Sequence, residues 1–460
     1  MYFCAVNFLL NLIYTKKSMK RTFFYAVALL AAAVLSFSSC GQSDSKDPDP
    51  EPNPVDNPQP EPQPTPQPST LTLTNKQHST VTSLADASTP ADIVSAMGMG
   101  WNLGNQMDAW SNEVADETCW GNQKTTQEAF DKIAASGIKT VRIPVTWMGH
   151  VGEAPDYEIE SAWLDRVAEI VGYAEKAGLN AIINIHHDGA DSGHWLDIKN
   201  AAINTAKNTE IKNKIKALWT QIAEKFKDKG SFLIFEGFNE IQDGAWGWGA
   251  NRTDGGKQYQ TLNEWLKIFV DAVRATGGNN ETRWLGIPAY NTDIDLCEKL
   301  VLPEDPANKL MVAVHFYMNY KYTLNDEYKS WGHTGKNNSP EGQEKDVREA
   351  LKKMYDRYTS QGTPVYVGEM GNIYHGGDAE KYRKYYFEYV VKCMHENYLA
   401  PILWDNGSTK SGAECHGYFN HATGEYINNA EEMIGVMVKA VTNTDSEYTL
   451  DWIYTNSAPK

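Results

Sequence analysis

The sequence predicts an α/β fold, a (β/α)8 TIM barrel formed as a single domain over residues 71–460. Three observations carry this. Eight short apolar runs alternate with amphipathic helical segments, the order expected of parallel strands joined by helical crossovers. The runs are continuously apolar, as strands covered on both faces are. Nearly every run ends in polar or charged residues, where a barrel gathers its functional side chains. A doubly wound open sheet is the competing reading. It lacks support because the first strand–helix turn has no Gly-rich phosphate loop.

The elements follow in order. GMGWNLGN (98–105) is the first strand, with a helix at 126–135. KTVRIPVTW (139–147) is the second. The helix after it shows apolar residues at three- and four-residue steps through Trp163, Val167, Ile170 and Val171, and Gly178 ends it. NAIINIHHD (180–188) leads to a helix at 209–227, and FLIFEGFNE (232–240) to one at 258–275. RWLGIPAYN (283–291) and KLMVAVHFY (309–317) come next, the latter before a helix at 342–357. PVYVGEMG (364–371) precedes a helix at 379–397, and APILWDNG (400–407) one at 429–442.

The strand ends hold the chemistry. The second strand carries Arg142 and the third ends His186-His187-Asp188. The fourth ends Asn239-Glu240, the sixth His315-Phe316-Tyr317, and Glu369 closes the seventh before Trp404-Asp405-Asn406 on the eighth. Strands four and seven would bring Glu240 and Glu369 to opposite sides of one opening. Two carboxylates flanking a cleft are the equipment for glycoside hydrolysis, one protonated to donate to a leaving oxygen and one ionised to attack. Arg142 could hold its carboxylate ionised, and Tyr317 could donate a hydrogen bond to it. A single strand-end glutamate is more often a solvated or salt-bridged residue; the whole set on one face argues otherwise.

WNLGN, VRIPVTW, IHHD, FNE, HFY, VGEMG and LWDNG together resemble glycoside hydrolase family 5, in the family's order across residues 95–445. The nearest likeness is to subfamily 4, bacterial endo-β-1,4-glucanases and xyloglucanases. The resemblance implies roles residue by residue. Glu240 matches the acid/base and Glu369 the nucleophile. Arg142 matches the arginine beside the nucleophile, and His315 and Tyr317 match the histidine–tyrosine pair. His186 ends strand three, with His187 beside it lining the cleft. Trp404 matches the aromatic floor, Asn239 a partner of the sugar 2-hydroxyl, and Asn102 a substrate contact from the strand-one motif. The implied reaction is double displacement with retention, on β-1,4-glucans such as cellulose derivatives, mixed-linkage glucan or xyloglucan, with neither metal nor cofactor. Two rivals remain: a β-mannanase on the same scaffold, and a non-catalytic glycan-binding lipoprotein. The second predicts a missing catalytic carboxylate, and both carboxylates are present.

Composition bounds the remainder. The chain has 460 residues and a net charge of -17, and no basic patch recommends nucleic acid as a partner. Lys20-Arg21, an apolar run from Phe23 to Phe37 and Ser38-Ser39-Cys40 have the form of a secretory signal of lipoprotein type over residues 1–39. Cys40 is then the lipidated membrane anchor, an incidental cysteine after an ordinary signal being the alternative. Met19 would start such a signal by itself. Losing four basic residues and no acid takes the net charge to -21. Residues 41–70 hold ten of the 20 prolines, an extended stalk reaching roughly 90 Å at about 3.1 Å per residue. The expected product is a monomeric enzyme tethered to the bacterial outer membrane or cell surface.

His186, His187, His194 and His315 admit a metal-site reading, which the absence of histidine on strand one weakens. Trp246 and Trp248, after strand four, are expected as sugar platforms, whereas Trp219 and Trp265 sit at core positions of helices. Trp120 and Trp195 lie in loops after strands one and three. Long loops after strands one, three, four and six suit an open cleft. Cys119 and Cys415 could bridge across neighbouring loops, with two unpaired cysteines as the preferred reading.

Overall fold

The computed structural model describes residues 78–189 and 194–460. The signal and linker segments, 1–39 and 40–70 with Cys40, lie outside these. Eight parallel strands close into a barrel: β1 (Gly100–Asn102), β4 (Thr140–Ile143), β5 (Asn180–Ile183), β6 (Leu233–Glu236), β7 (Leu285–Pro288), β8 (Leu310–Phe316), β9 (Val365–Met370) and β10 (Leu399–Leu403). Each pairs with its sequence neighbours in the barrel, and β1 pairs with both β4 and β10 to complete the ring. A two-stranded hairpin, β2 (Trp110–Ser111) with β3 (Val114–Ala115), decorates the loop after β1. The expected barrel is therefore the observed one, with strands shorter than the sequence runs because their polar ends have already left the ladder.

Alternation sorts the side chains into two cores. Val141, Ile143, Ala181, Ile183, Leu233, Phe235, Val312 and Val365 face the helices and join the larger cluster. Ile182, Ile234, Met311, Ala313, Tyr366 and Ile402 face inward. An additional helix before the first strand, α1 (Pro90–Met97), plugs the barrel floor with Ile93, Val94 and Met97. Its start is built from Thr89, whose side chain accepts from Asp92 N while the Asp92 carboxylate accepts from Thr89 N, with Pro90 in the first turn. Trp219 and Trp265 are fully buried as expected. Gly178, at φ 72°, takes the left-handed step that ends the helix Ser161–Lys176.

Moving up the axis, the inward residues change from apolar to charged. Arg142 and Glu236 are both completely buried there, and Tyr366 reaches across from β9. Gly286 on β7 makes this possible: a Cβ at that position would lie 2.1 Å from the Tyr366 hydroxyl. The top of β9 departs from strict alternation. Val314 pairs with Val367, but His315 pairs with Glu369, so Gly368 is an extra residue in the ladder. Without that bulge Glu369 would share the helix-facing side of Val365 and Val367; with it, the carboxylate turns into the barrel.

Gly286→Ala is expected to cost about 1–3 kcal/mol by forcing Tyr366 out of place. Chemical denaturation would measure it, and a variant as stable as the parent would contradict the packing described.

Candidate active site

Glu240 follows the end of β6 and Glu369 rides the bulge of β9. One carboxylate oxygen from each lies within 4.8 Å of the other and of a His315 ring nitrogen. Both line a cleft of about 490 Å³ at the C-terminal end of the barrel, together with His186, His187, Asn239, His315, Tyr317 and Trp404. Eight of the ten residues singled out in the sequence thus meet in one cleft.

Glu369 is held from two sides. Arg142 Nη1 donates to Glu369 Oε1 at 2.8 Å, and the Tyr317 hydroxyl donates to Oε2 at 3.0 Å. Burial and the adjacent carboxylates raise the Tyr317 phenol well above its ordinary value, so it remains a donor. Glu240 is held differently: its Oε1 lies 2.6 Å from His315 Nδ1. Burial pushes the His315 imidazole down to about 4, which leaves it neutral near pH 7. His186 is likewise kept neutral, by burial and by the neighbouring His187 and Arg142. Its ring is parallel to Trp404 at 6.2 Å between centroids.

Two of the ten do not line the cleft. Asn102 is fully buried; its amide donates to Gly368 O and Leu403 O, and its oxygen accepts from Arg142 Nη1. It ties β1 to the bulge and so fixes Glu369 from behind. Arg142 is also fully buried and reaches Glu369 rather than the cleft. The carboxylates of Asp188 and Asp405 turn away as well. Asp188 accepts from Trp147 N and Trp195 Nε1, and Asp405 accepts from Trp101 Nε1 and three backbone N–H groups of its own loop. Of the two loop tryptophans after β6, Trp246 lines the cleft and Trp248 does not; the latter is covered on one face by Arg252 at 4.1 Å. Trp120 stands 5.4 Å from His187 at the opposite end. Cys119 and Cys415 are both free thiols.

Sequence reasoning missed Glu236, Asn184, Tyr366 and Glu414. Glu236 accepts from Arg142 Nε and Nη2, from Tyr366 at 2.6 Å and from Asn184 at 2.8 Å. Burial by itself would raise its carboxyl, but Arg142 and these donors hold it below the ordinary carboxylate range. A glutamate interrupting the apolar run LIFE, in phase with inward-facing Ile234, was the available signal. Glu414, on the loop after β10, lines the cleft.

The family described as "Cellulase (glycosyl hydrolase family 5)" matches residues 105–410. The chain is 37% identical to Endoglucanase A of Paenibacillus barcinonensis over 353 residues, covering 72% of this chain and 86% of that protein. It is 34% identical to a xyloglucan-specific endo-beta-1,4-glucanase of Bacteroides ovatus, over 76% of this chain and 70% of the other. A solved structure, titled a GH5-4 broad specificity endoglucanase from Bacteroides salanitronis, superposes with a TM-score of 0.77 at 53% identity. It covers 81% of this chain and 100% of its own.

Five buried imidazoles make stability depend on acid. His186, His315, His375, His395 and His416 all have folded-state pKa values below the ordinary 6.5, His416 at about 3, chiefly through burial. The unfolded chain therefore binds more protons than the folded one once pH falls below about 6.5. Their contribution is constant above that value and becomes increasingly destabilising below it. Thermal unfolding from pH 7.5 to 4.5 is expected to show Tm falling with acidification. A shallower fall is expected in His416→Gln, which takes up no proton; an identical slope would remove His416 from this account.

Proposed function

The chain belongs to glycoside hydrolase family 5, and from that premise we propose that it is an endo-acting hydrolase of β-1,4-linked glucans working by double displacement. The observation that carries the mechanism is the separation of the two carboxyl groups. Retaining glycosidases hold theirs about 5–5.5 Å apart, whereas inverting ones leave about 6.5–9.5 Å for a water. A nearest approach within 4.8 Å supports the retaining arrangement.

Glu369 is the nucleophile in this reading. Arg142 and Tyr317 each donate to one of its two oxygens and hold it in place. As Glu369 attacks the anomeric carbon, the glycosidic bond breaks and Glu240 passes its proton to the departing oxygen. A glycosyl-enzyme ester results. Glu240, now a carboxylate, takes a proton from the water that attacks the same carbon, and Glu369 leaves with the β-configuration restored. His315 orients Glu240 and, being neutral, adds no fixed positive charge beside it. Asn239 lies on the same strand end, its side-chain oxygen accepting from Arg142 Nη2, which leaves its amide N–H groups to a sugar hydroxyl. Trp404 provides a flat apolar surface beneath the sugar ring at the point of cleavage.

Similarity to endoglucanases and to a xyloglucan-specific enzyme supports β-1,4-glucan as the substrate class, and the open cleft supports attack within chains. The leader and Pro-rich stretch support an exported enzyme carried on a lipid anchor at Cys40.

Glu369→Gln is expected to lower turnover by roughly 10⁴-fold or more while leaving affinity for oligosaccharide nearly unchanged. Unchanged turnover would reassign the nucleophile. NMR of the first product formed should show the β-anomer; an initial α-anomer would refute double displacement. Initial rates on carboxymethylcellulose, barley glucan, xyloglucan and glucomannan should favour a glucan, and a preference for pure mannan would move the activity to the mannanase rival. Trp246→Ala should raise KM for polymer severalfold with little change in kcat on a short aryl glycoside.

A further inference from the structure

The reaction uses Glu240 and Glu369, yet a third carboxylate lies deeper in the barrel. Glu236 is completely buried and does not line the cleft. Arg142 stands between Glu236 and Glu369, with Nη2 at 2.7 Å from Glu236 Oε1 and Nη1 at 2.8 Å from Glu369 Oε1. Burying a carboxylate at this depth is costly, and an apolar replacement of a buried ion pair is often at least as stable. Stability is therefore a poor reason for its presence.

The covalent step supplies a better one. When the Glu369–C1 bond forms and the glycosidic bond breaks, the negative charge of Glu369 is consumed in an ester. The proton of Glu240 goes to the departing oxygen, so the charge reappears on Glu240, whereas the N–H groups of Arg142 are directed at Glu236, Asn102, Glu369 and Asn239. Without a second anion, Arg142 would be left as an uncompensated buried cation at the moment the transition state develops. From this geometry we infer that Glu236 is a positioning residue and a fixed counter-charge, which keeps Arg142 aimed and compensated while the charge of Glu369 is consumed. Such an interaction acts on the transition state and covalent intermediate more than on the resting enzyme, which is what raises a rate.

The surroundings of Glu236 fit that role. Arg142 on β4 is the cation facing it. Tyr366 on β9 and Asn184 after β5 donate to its oxygens. His186, bonded to Asn184, and His315 on β8 are neutral near pH 7. Gly286 on β7 contributes only the space that admits the Tyr366 hydroxyl.

The inference rests on Glu369 being the nucleophile, and the test separates the two. The full chain is made as Glu236→Gln, Glu236→Asp and Tyr366→Phe, with folding checked by circular dichroism. The readouts are the pH profile of kcat/KM on barley glucan and the rate of covalent trapping by an activated 2-deoxy-2-fluoro-β-cellobioside. In Glu236→Gln, Arg142 has one anion left and holds the charge of Glu369 more tightly. The acid limb is then expected to move to lower pH by roughly half a unit to one unit, and trapping to slow by about tenfold or more. Glu236→Asp keeps the charge and should keep the parental limb at a reduced rate. Tyr366→Phe removes a donor from Glu236, strengthens its pull on Arg142, and should move the limb slightly upward; this variant decides the matter if Gln fails to fold. An unmoved limb in both Gln and Phe, or equal trapping rates in Gln and the parent, overturns the inference. Failure of the nucleophile assignment would show instead as turnover surviving in Glu369→Gln.

Discussion

The active site is organised around one buried guanidinium. Arg142 directs all its N–H groups at acceptors: Nε at both Glu236 oxygens, Nη1 at Asn102 and Glu369, Nη2 at Glu236 and Asn239. Its planar fork fixes these acceptors relative to one another. Four strands are thereby coupled through one side chain, since Asn102 ends β1, Arg142 sits on β4, Glu236 and Asn239 belong to β6 and its end, and Glu369 to β9. Glu369 and Asn239, the residue adjoining Glu240, are positioned by the same group. A rigid barrel wall makes such coupling useful, because the strands hold their spacing when substrate binds.

Electrostatics explain why the remaining residues have the character they do. Arg142 with Glu236 and Glu369 forms a cluster of net negative charge, so it is burial, acting against the pull of these carboxylates, that keeps the His315 imidazole neutral. His186 stays neutral through burial as well, and Glu240 meets a neutral imidazole in His315 rather than a cation. The barrel interior is graded along its axis to match. Apolar side chains and the α1 plug seal the lower end, while charged and amide groups occupy the upper end, where each finds a partner. Water is kept from the floor and polarity is concentrated beneath the scissile bond.

The rim follows different rules. Trp246 is held at a positive φ of 51°, with its backbone N–H on the Gln242 side chain, which fixes the main chain that carries this exposed ring beside the cleft. Trp248 has Arg252 over one face at 4.1 Å and is still 77% exposed. Adjacent tryptophans of identical type thus take different tasks, decided by which way a glycine-rich loop turns.

Much of this was legible in the chain itself. Strand order, helix positions and the convergence of Glu240, Glu369, His315 and Tyr317 follow from periodicity and from the rule that barrel strands deliver their C-terminal residues to one face. The likeness of WNLGN, IHHD, FNE and VGEMG to a known family assigned the two glutamates their parts. Direction was not legible. Strict alternation would turn Glu369 towards the helices, and only the bulge at Gly368, pinned by Asn102 from another strand, turns it inward. Asn102 looked like a substrate contact because it lies in the strand-one motif. Tertiary packing made it, with Arg142, a support behind Glu369, and it made Asp188 and Asp405 loop ties. The sequence by itself determined which chemical groups gather at the barrel mouth, because hydrophobic period and strand ends are local properties. Which of those groups face the sugar, and which hold the others in place, was decided by contacts between strands far apart in the chain, where a single inserted glycine reverses a side chain's direction.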